Sequence, residues 1–107
     1  MTINEQKAIN VQAVEAYNAA MNALTNSHGD YTVKRLRSCT AIVISVPGYR
    51  LLRSYNTIVA VIDYSDGICY DLLRYVYGYT ATSAQHISKF AHDYADGGKK
   101  FTWRYLK

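Results

Sequence analysis

The segment SYNTIVAVID, residues 54–63, decides the fold. Beyond Thr57 the run Ile58-Val59-Ala60-Val61-Ile62 puts apolar residues on both faces of an alternating chain, and a strand apolar on both faces is one covered on both sides. The segment therefore predicts a central strand. Upstream, Pro47-Gly48 suits the middle of a type II turn, proline fixing φ and glycine taking the positive φ, which predicts a hairpin into residues 49–63. The β-branched run Ala41 to Val46 reads as a buried strand and Tyr31 to Arg37 as another. Ser38-Cys39-Thr40 carries no strong turn signal, so these two runs read equally as two strands or as one long bulged strand.

Downstream, Ser65-Asp66-Gly67 supplies a turn and Ile68 to Tyr79 reads as the next strand, antiparallel to its predecessor. Along it Cys69, Asp71, Leu73, Tyr75, Tyr77 and Tyr79 share one face, while Ile68, Tyr70, Leu72, Arg74, Val76 and Gly78 share the other. The expected arrangement buries Tyr75 and leaves Tyr77 and Tyr79 partly exposed. Thr82 and Gln85 then form a capping-box pair, and Ala84, Ile87, Phe90, Ala91 and Tyr94 make the apolar stripe of a helix that Gly97-Gly98 ends. At the N-terminus Thr2 and Glu5 form a second capping box. Val11, Val14, Tyr17, Met21 and Leu24 follow at spacings of three and four, predicting an amphipathic helix over residues 3–25. Phe101, Trp103 and Tyr105 alternate with Thr102 and Arg104 and predict a closing strand.

The order is helix, strands, helix, strand. It places the chain in the α+β class, an antiparallel sheet of about four to five strands with helices packed on one side. A length of 107 residues fits one domain over residues 1–107. Half the residues are apolar and 19% are charged, enough apolar content for a core. No apolar run approaches the ~18 residues of a membrane span, and no basic stretch precedes an apolar block at the N-terminus, so a soluble, unsecreted protein without membrane contact is expected. Cys39 and Cys69 lie in strand-like runs and read as reduced thiols serving as small core residues.

The net charge of +4 is uneven. Residues 1–30 hold Lys7 against Glu5, Glu15 and Asp30, whereas the remaining eleven Lys and Arg face only five Asp. A basic second part suits an acidic partner, nucleic acid or an anionic protein surface. The chemistry of catalysis is thinly represented. His86 and His92 stand six apart on one helix rather than at the i, i+4 spacing of zinc helices, His28 lies in a turn, and no CxxC pair occurs. Neither a metal nor another cofactor is expected. Ser83 and His86 are one turn apart, yet a hydroxyl at a helix start is a capping group, and Asp63 and Asp66 flank a turn where Asp is favoured. An enzymatic reading would rest on Asp63, Ser83 or His86; the pattern points instead to a non-enzymatic binding protein.

Tyrosine occurs 11 times, repeatedly beside arginine: Tyr49-Arg50, Arg53-Ser54-Tyr55, Arg74-Tyr75 and Arg104-Tyr105. These two residue types are enriched at binding hot spots and also stack on bases and contact phosphates. The candidate partner-binding residues are Arg50, Arg53, Tyr55, Arg74, Tyr77, Tyr79, Lys89 and Arg104.

The combination Ser54-Tyr55-Asn56-Thr57, Val59-Ala60 and Asp63, followed by Tyr77-Gly78-Tyr79, Ala81-Thr82, His86-Ile87 and Phe90, resembles small proteins encoded by phages and prophages of Gram-positive bacteria. The resemblance covers about residues 50–95 and implies activity in the bacterial host's cytoplasm. It leads to the expectation of a counter-defence protein, anti-CRISPR-like, that binds a host defence effector stoichiometrically as monomer or homodimer. CRISPR-Cas with its nucleic acid is the example of such a target. The basic charge argues against imitation of DNA. The alternative expectation is a nucleic-acid-binding phage accessory or regulatory protein.

Overall fold

A computed structural model describes residues 2–27, 29, 31–36, 41–73, 81–94 and 102–105. Helix α1 spans Ile3–Asn26, and the strands are β1 (Thr32–Arg35), β2 (Ala41–Val46), β3 (Tyr49–Ser54), β4 (Thr57–Asp63), β5 (Ile68–Asp71) and β6 (Thr102–Tyr105), with helix α2 (Ala81–Tyr94) between β5 and β6. The strands form one sheet in sequence order, β1 to β6. Those from β1 to β5 are antiparallel neighbours, and β6 joins β5 in parallel. A parallel neighbour needs a crossover, which here contains α2. The class is α+β, as the sequence predicts.

Residues 49–63 are not one strand. The chain folds back at Tyr55-Asn56, pairing Ser54 with Thr57 and making β3 and β4 the two middle strands. The register slips beside Leu52 and Arg53, where Leu52 faces Ala60 but Arg53 faces Ile58, leaving Val59 as an extra residue in β4. The Val59 carbonyl instead accepts from the Leu72 N–H at 2.8 Å. The open alternative upstream resolves into two antiparallel strands, β1 and β2, and the Leu36 N–H donates to the Ala41 carbonyl.

The helices lie on opposite faces of the sheet, not on one. Phe90 and Ile87 of α2 pack with Val43, Leu52, Ile62 and Cys69, whereas Ala13, Ala16 and Ala20 of α1 pack with Leu51, Val61 and Tyr70. Leu51 and Leu52 are adjacent in β3, both fully buried, and point to opposite cores. Each contributes about 1.5–3 kcal/mol of burial. The α1 face against the sheet is the alanine face, with Tyr17 and Met21 at its margin; Val11 is 57% exposed and Val14 38%. Small residues let the helix sit close over the strands, and this closeness turns the larger valines outward. The Thr2 hydroxyl accepts from the Glu5 N–H at 3.1 Å, so that predicted cap is present. Helix α2 starts at Ala81, placing Thr82 inside its first turn rather than at its cap, while its predicted apolar stripe faces the core.

Strand β5 ends at Asp71, well short of Tyr79. The Asp71 carboxylate accepts from the Leu73 N–H at 3.0 Å, a local turn that competes with further strand pairing. Residues 74–80, which carry the predicted Tyr75, Tyr77 and Tyr79 pattern, lie outside the described residues, as do the Cys39 and His28 positions.

Candidate partner-binding surface

Arg50 is engaged within the protein. It stands opposite Ser45 in the β2–β3 ladder, and its Nε donates to the Ser45 hydroxyl at 3.1 Å while Nη1 donates to the Tyr64 hydroxyl at 2.7 Å. The guanidinium lies 4.6 Å from the ring centre of Tyr94 and 5.3 Å from that of Tyr64. The Tyr64 hydroxyl donates in turn to the Tyr94 carbonyl at the end of α2. A cation at a helix C-terminus is favourable, and stacking adds about 0.5–1 kcal/mol at an exposed site. This arginine therefore ties α2 to the sheet. Burial raises the Tyr64 pKa above its ordinary value, opposed by the Arg50 charge and hydrogen bond.

Ser54, predicted only as part of a strand, is fully buried at the end of β3 beneath α2. Its hydroxyl lies 3.0 Å from that of Ser83 and 2.9 Å from Nδ1 of His86. Ser83 is fully buried and His86 is 6% exposed, so the polar trio pins the β3–β4 hairpin to α2. The neighbouring Tyr55 covers it from outside, its ring centre 6.3 Å from that of His86. Tyr55 has φ 57°, the one positive φ among described non-glycine residues. A large side chain is costly in that conformation.

The third arrangement centres on Arg53. It lies in β3 on the α1 side, where Leu24, Tyr31, Val33, Ile42, Ile44 and Arg53 line a groove of about 350 Å³. The Arg53 Nε is buried and makes no hydrogen bond among the described residues. Leaving a buried donor unmade costs about 1–3 kcal/mol, more for a charged group. In register, Arg35 of β1, Ile42 of β2 and Arg53 of β3 form one row across the sheet. Strand β1 is at the end of the sheet order, and Thr32, Val33, Lys34 and Arg35 are all exposed. Val33 is 56% exposed and Tyr31 43%, so apolar floor and basic rim meet at an edge that α1 leaves uncovered.

The other candidates are dispersed. Lys89 pairs with Asp93 at 3.1 Å on the surface of α2, and His92, with Lys89, holds the Asp93 carboxyl below its usual range. Arg104 is opposite Tyr70 in the parallel β5–β6 register, remote in strand order from Arg53. Arg74, Tyr77 and Tyr79 lie outside the described residues. The Asp63 carboxylate accepts from the Ser65 and Asp66 N–H groups, holding the turn as its position predicts. With Glu15 and Asp66 it lines a cleft of about 420 Å³ beneath α1. No cluster of three or more metal-ligating side chains occurs among the described residues, and no described helix is long and apolar enough to cross a membrane. The groove residues Leu24, Tyr31, Val33, Ile42 and Ile44 escaped sequence reasoning; the signal available was a β-branched edge run beside Lys34 and Arg35.

These elements define a small α+β domain with a helix on each face of its sheet and an uncovered basic-apolar corner. The chain belongs to a family of unknown function, DUF8033, whose model matches residues 15–104. The match runs from the middle of α1 to β6 and includes every residue lining the Arg53 groove. No curated protein and no solved structure matches the chain.

Proposed function

We propose that the protein works by binding a macromolecular partner stoichiometrically, without catalysis, through the corner formed by Arg53 and strand β1. The observation carrying this reading is the buried Arg53 Nε, which has no hydrogen-bond partner among the described residues and lines an apolar groove at the sheet margin. Arg53 as a whole is only half-buried, so a partner that fills the groove can accept from the accessible part of its guanidinium, a charge-assisted contact of the stronger class. Burial of Ser54, Ser83 and His86 supports the non-catalytic reading, since these side chains hydrogen-bond to one another within the core, where they join the β3–β4 hairpin to α2. The finer reading is a phage-encoded inhibitor of a bacterial defence complex, anti-CRISPR-like and acting in the host cytoplasm. Its support is the resemblance carried by residues 54–90.

Exposed Lys34 and Arg35 on β1 favour one second reading, a nucleic-acid-binding accessory protein. It predicts binding that weakens steeply with added salt as counterions are released. Capture from a Gram-positive bacterial lysate by wild type and Arg53→Met, each with and without nuclease, separates the readings. The inhibitor reading expects a defence effector that survives nuclease and is lost with Arg53→Met. Nuclease-sensitive recovery alone moves the assignment to nucleic acid, and recovery indifferent to Arg53→Met overturns the assignment of the corner.

A further inference from the structure

We infer that the Arg53 groove recognises an acidic, extended peptide segment of a partner protein, one carboxylate side chain reaching Arg53 and an adjacent aliphatic side chain resting on Val33 and Ile44. The inference rests on the binding reading above and gives the partner its chemistry. A volume of about 350 Å³ is at the small end for ligand sites, which run from about 300 to 1,000 Å³. It suits a pair of side chains better than a whole cofactor.

The lining decides between classes of partner. Leu24, Val33, Ile42 and Ile44 are aliphatic and Tyr31 is the one aromatic, whereas single-stranded nucleic acid is held by stacking bases on several aromatic rings. An aliphatic floor matches an aliphatic side chain. None of the described lining residues is acidic, and Arg35 and Arg53 flank Ile42 in one cross-strand row. A carboxylate above that row lies between two arginine positions of one sheet face and reaches Arg53, which lines the groove, and charge-assisted hydrogen bonds of this kind are the stronger class. Strand β1 pairs only with β2 among the described strands, so no described strand walls the groove on its outer side. An extended segment can lie along it with its main chain against the open edge.

The test is selection from a displayed library of random linear seven-residue peptides, in parallel on wild type and Arg53→Met. Wild type should enrich peptides with Asp or Glu beside Val, Ile or Leu, and Arg53→Met should not. Replacing the enriched carboxylate by its amide should weaken binding at least about tenfold. Titration of isotope-labelled protein with the enriched peptide should shift the amides of Val33 to Arg35 and Arg53. A neutral or basic consensus, no consensus, equal enrichment on Arg53→Met, or shifts confined to other strands overturns the inference. Preferential binding of a single-stranded oligonucleotide at the corner, or association of the chain with itself there, overturns it as well. If peptide selection fails while lysate capture stays sensitive to Arg53→Met, the acidic-segment inference falls and the binding function stands.

Discussion

The Ser54 hydroxyl lies 2.9 Å from Nδ1 of His86, joining the end of β3 to the middle of α2 inside the core. The two residues are far apart in the chain, and Ser83 closes the trio at 3.0 Å. Ser54→Ala removes a buried hydrogen-bonding group that two others share and should cost about 1–3 kcal/mol. Equilibrium denaturant unfolding measures this directly. An unchanged midpoint would mean that the trio does not hold the hairpin to α2.

Tyr55 should be replaceable at a gain. Its φ of 57° costs an ordinary side chain about 1–2 kcal/mol, and asparagine tolerates that conformation. Tyr55→Asn should raise stability by about 0.5–1 kcal/mol in the same unfolding assay. A loss larger than that would show that the ring over His86 outweighs the backbone strain.

How much of this was legible in the sequence differs by element. The run Val59 to Ile62 announces a strand covered on both faces, and all four residues are fully buried. That same observation argues against helices on one side only, because a doubly apolar strand needs a layer on each face. The turn at Tyr55-Asn56 was hidden because tyrosine rarely occupies a positive-φ position, so it signals continuing strand. In α1 the alanines carried the burial while the larger Val11 and Val14 suggested the wrong stripe; hydrophobic size ranked the faces, whereas close packing chose the small one. Of the candidate site, Arg53 was visible as an arginine beside tyrosine. Its groove is assembled from α1, β1, β2 and β3, which no local spacing reveals.

Cys69 should be protected from modification while the protein is folded. It is fully buried as a free thiol, and burial, with the Asp71 charge adding to it, pushes its pKa far above the usual thiol range. The thiolate is the reactive form. In a Cys39→Ser background, labelling by a thiol reagent should be slower in the folded than in the denatured state by at least about a thousandfold. Comparable rates would contradict the buried placement.

The Tyr64 phenol holds its proton more tightly when folded, burial being the larger cause and Arg50 opposing it. A group with a raised folded pKa contributes stability that is complete below its unfolded value of about 10 and is lost as pH rises through the folded value. Wild type should therefore lose stability more steeply than Tyr64→Phe between about pH 9 and 11. Parallel denaturant midpoints across that window would show that the phenol makes no such contribution.

The most direct test of the central claim, that Arg53 is held for a partner, is the unfolding free energy of Arg53→Met beside that of wild type. Methionine keeps the apolar stem and removes the buried donor that makes no hydrogen bond among the described residues. The variant should be more stable than wild type, by about 1 kcal/mol or more. A loss of comparable size would show that Arg53 supports the fold and would contradict the assignment of the groove as a binding site.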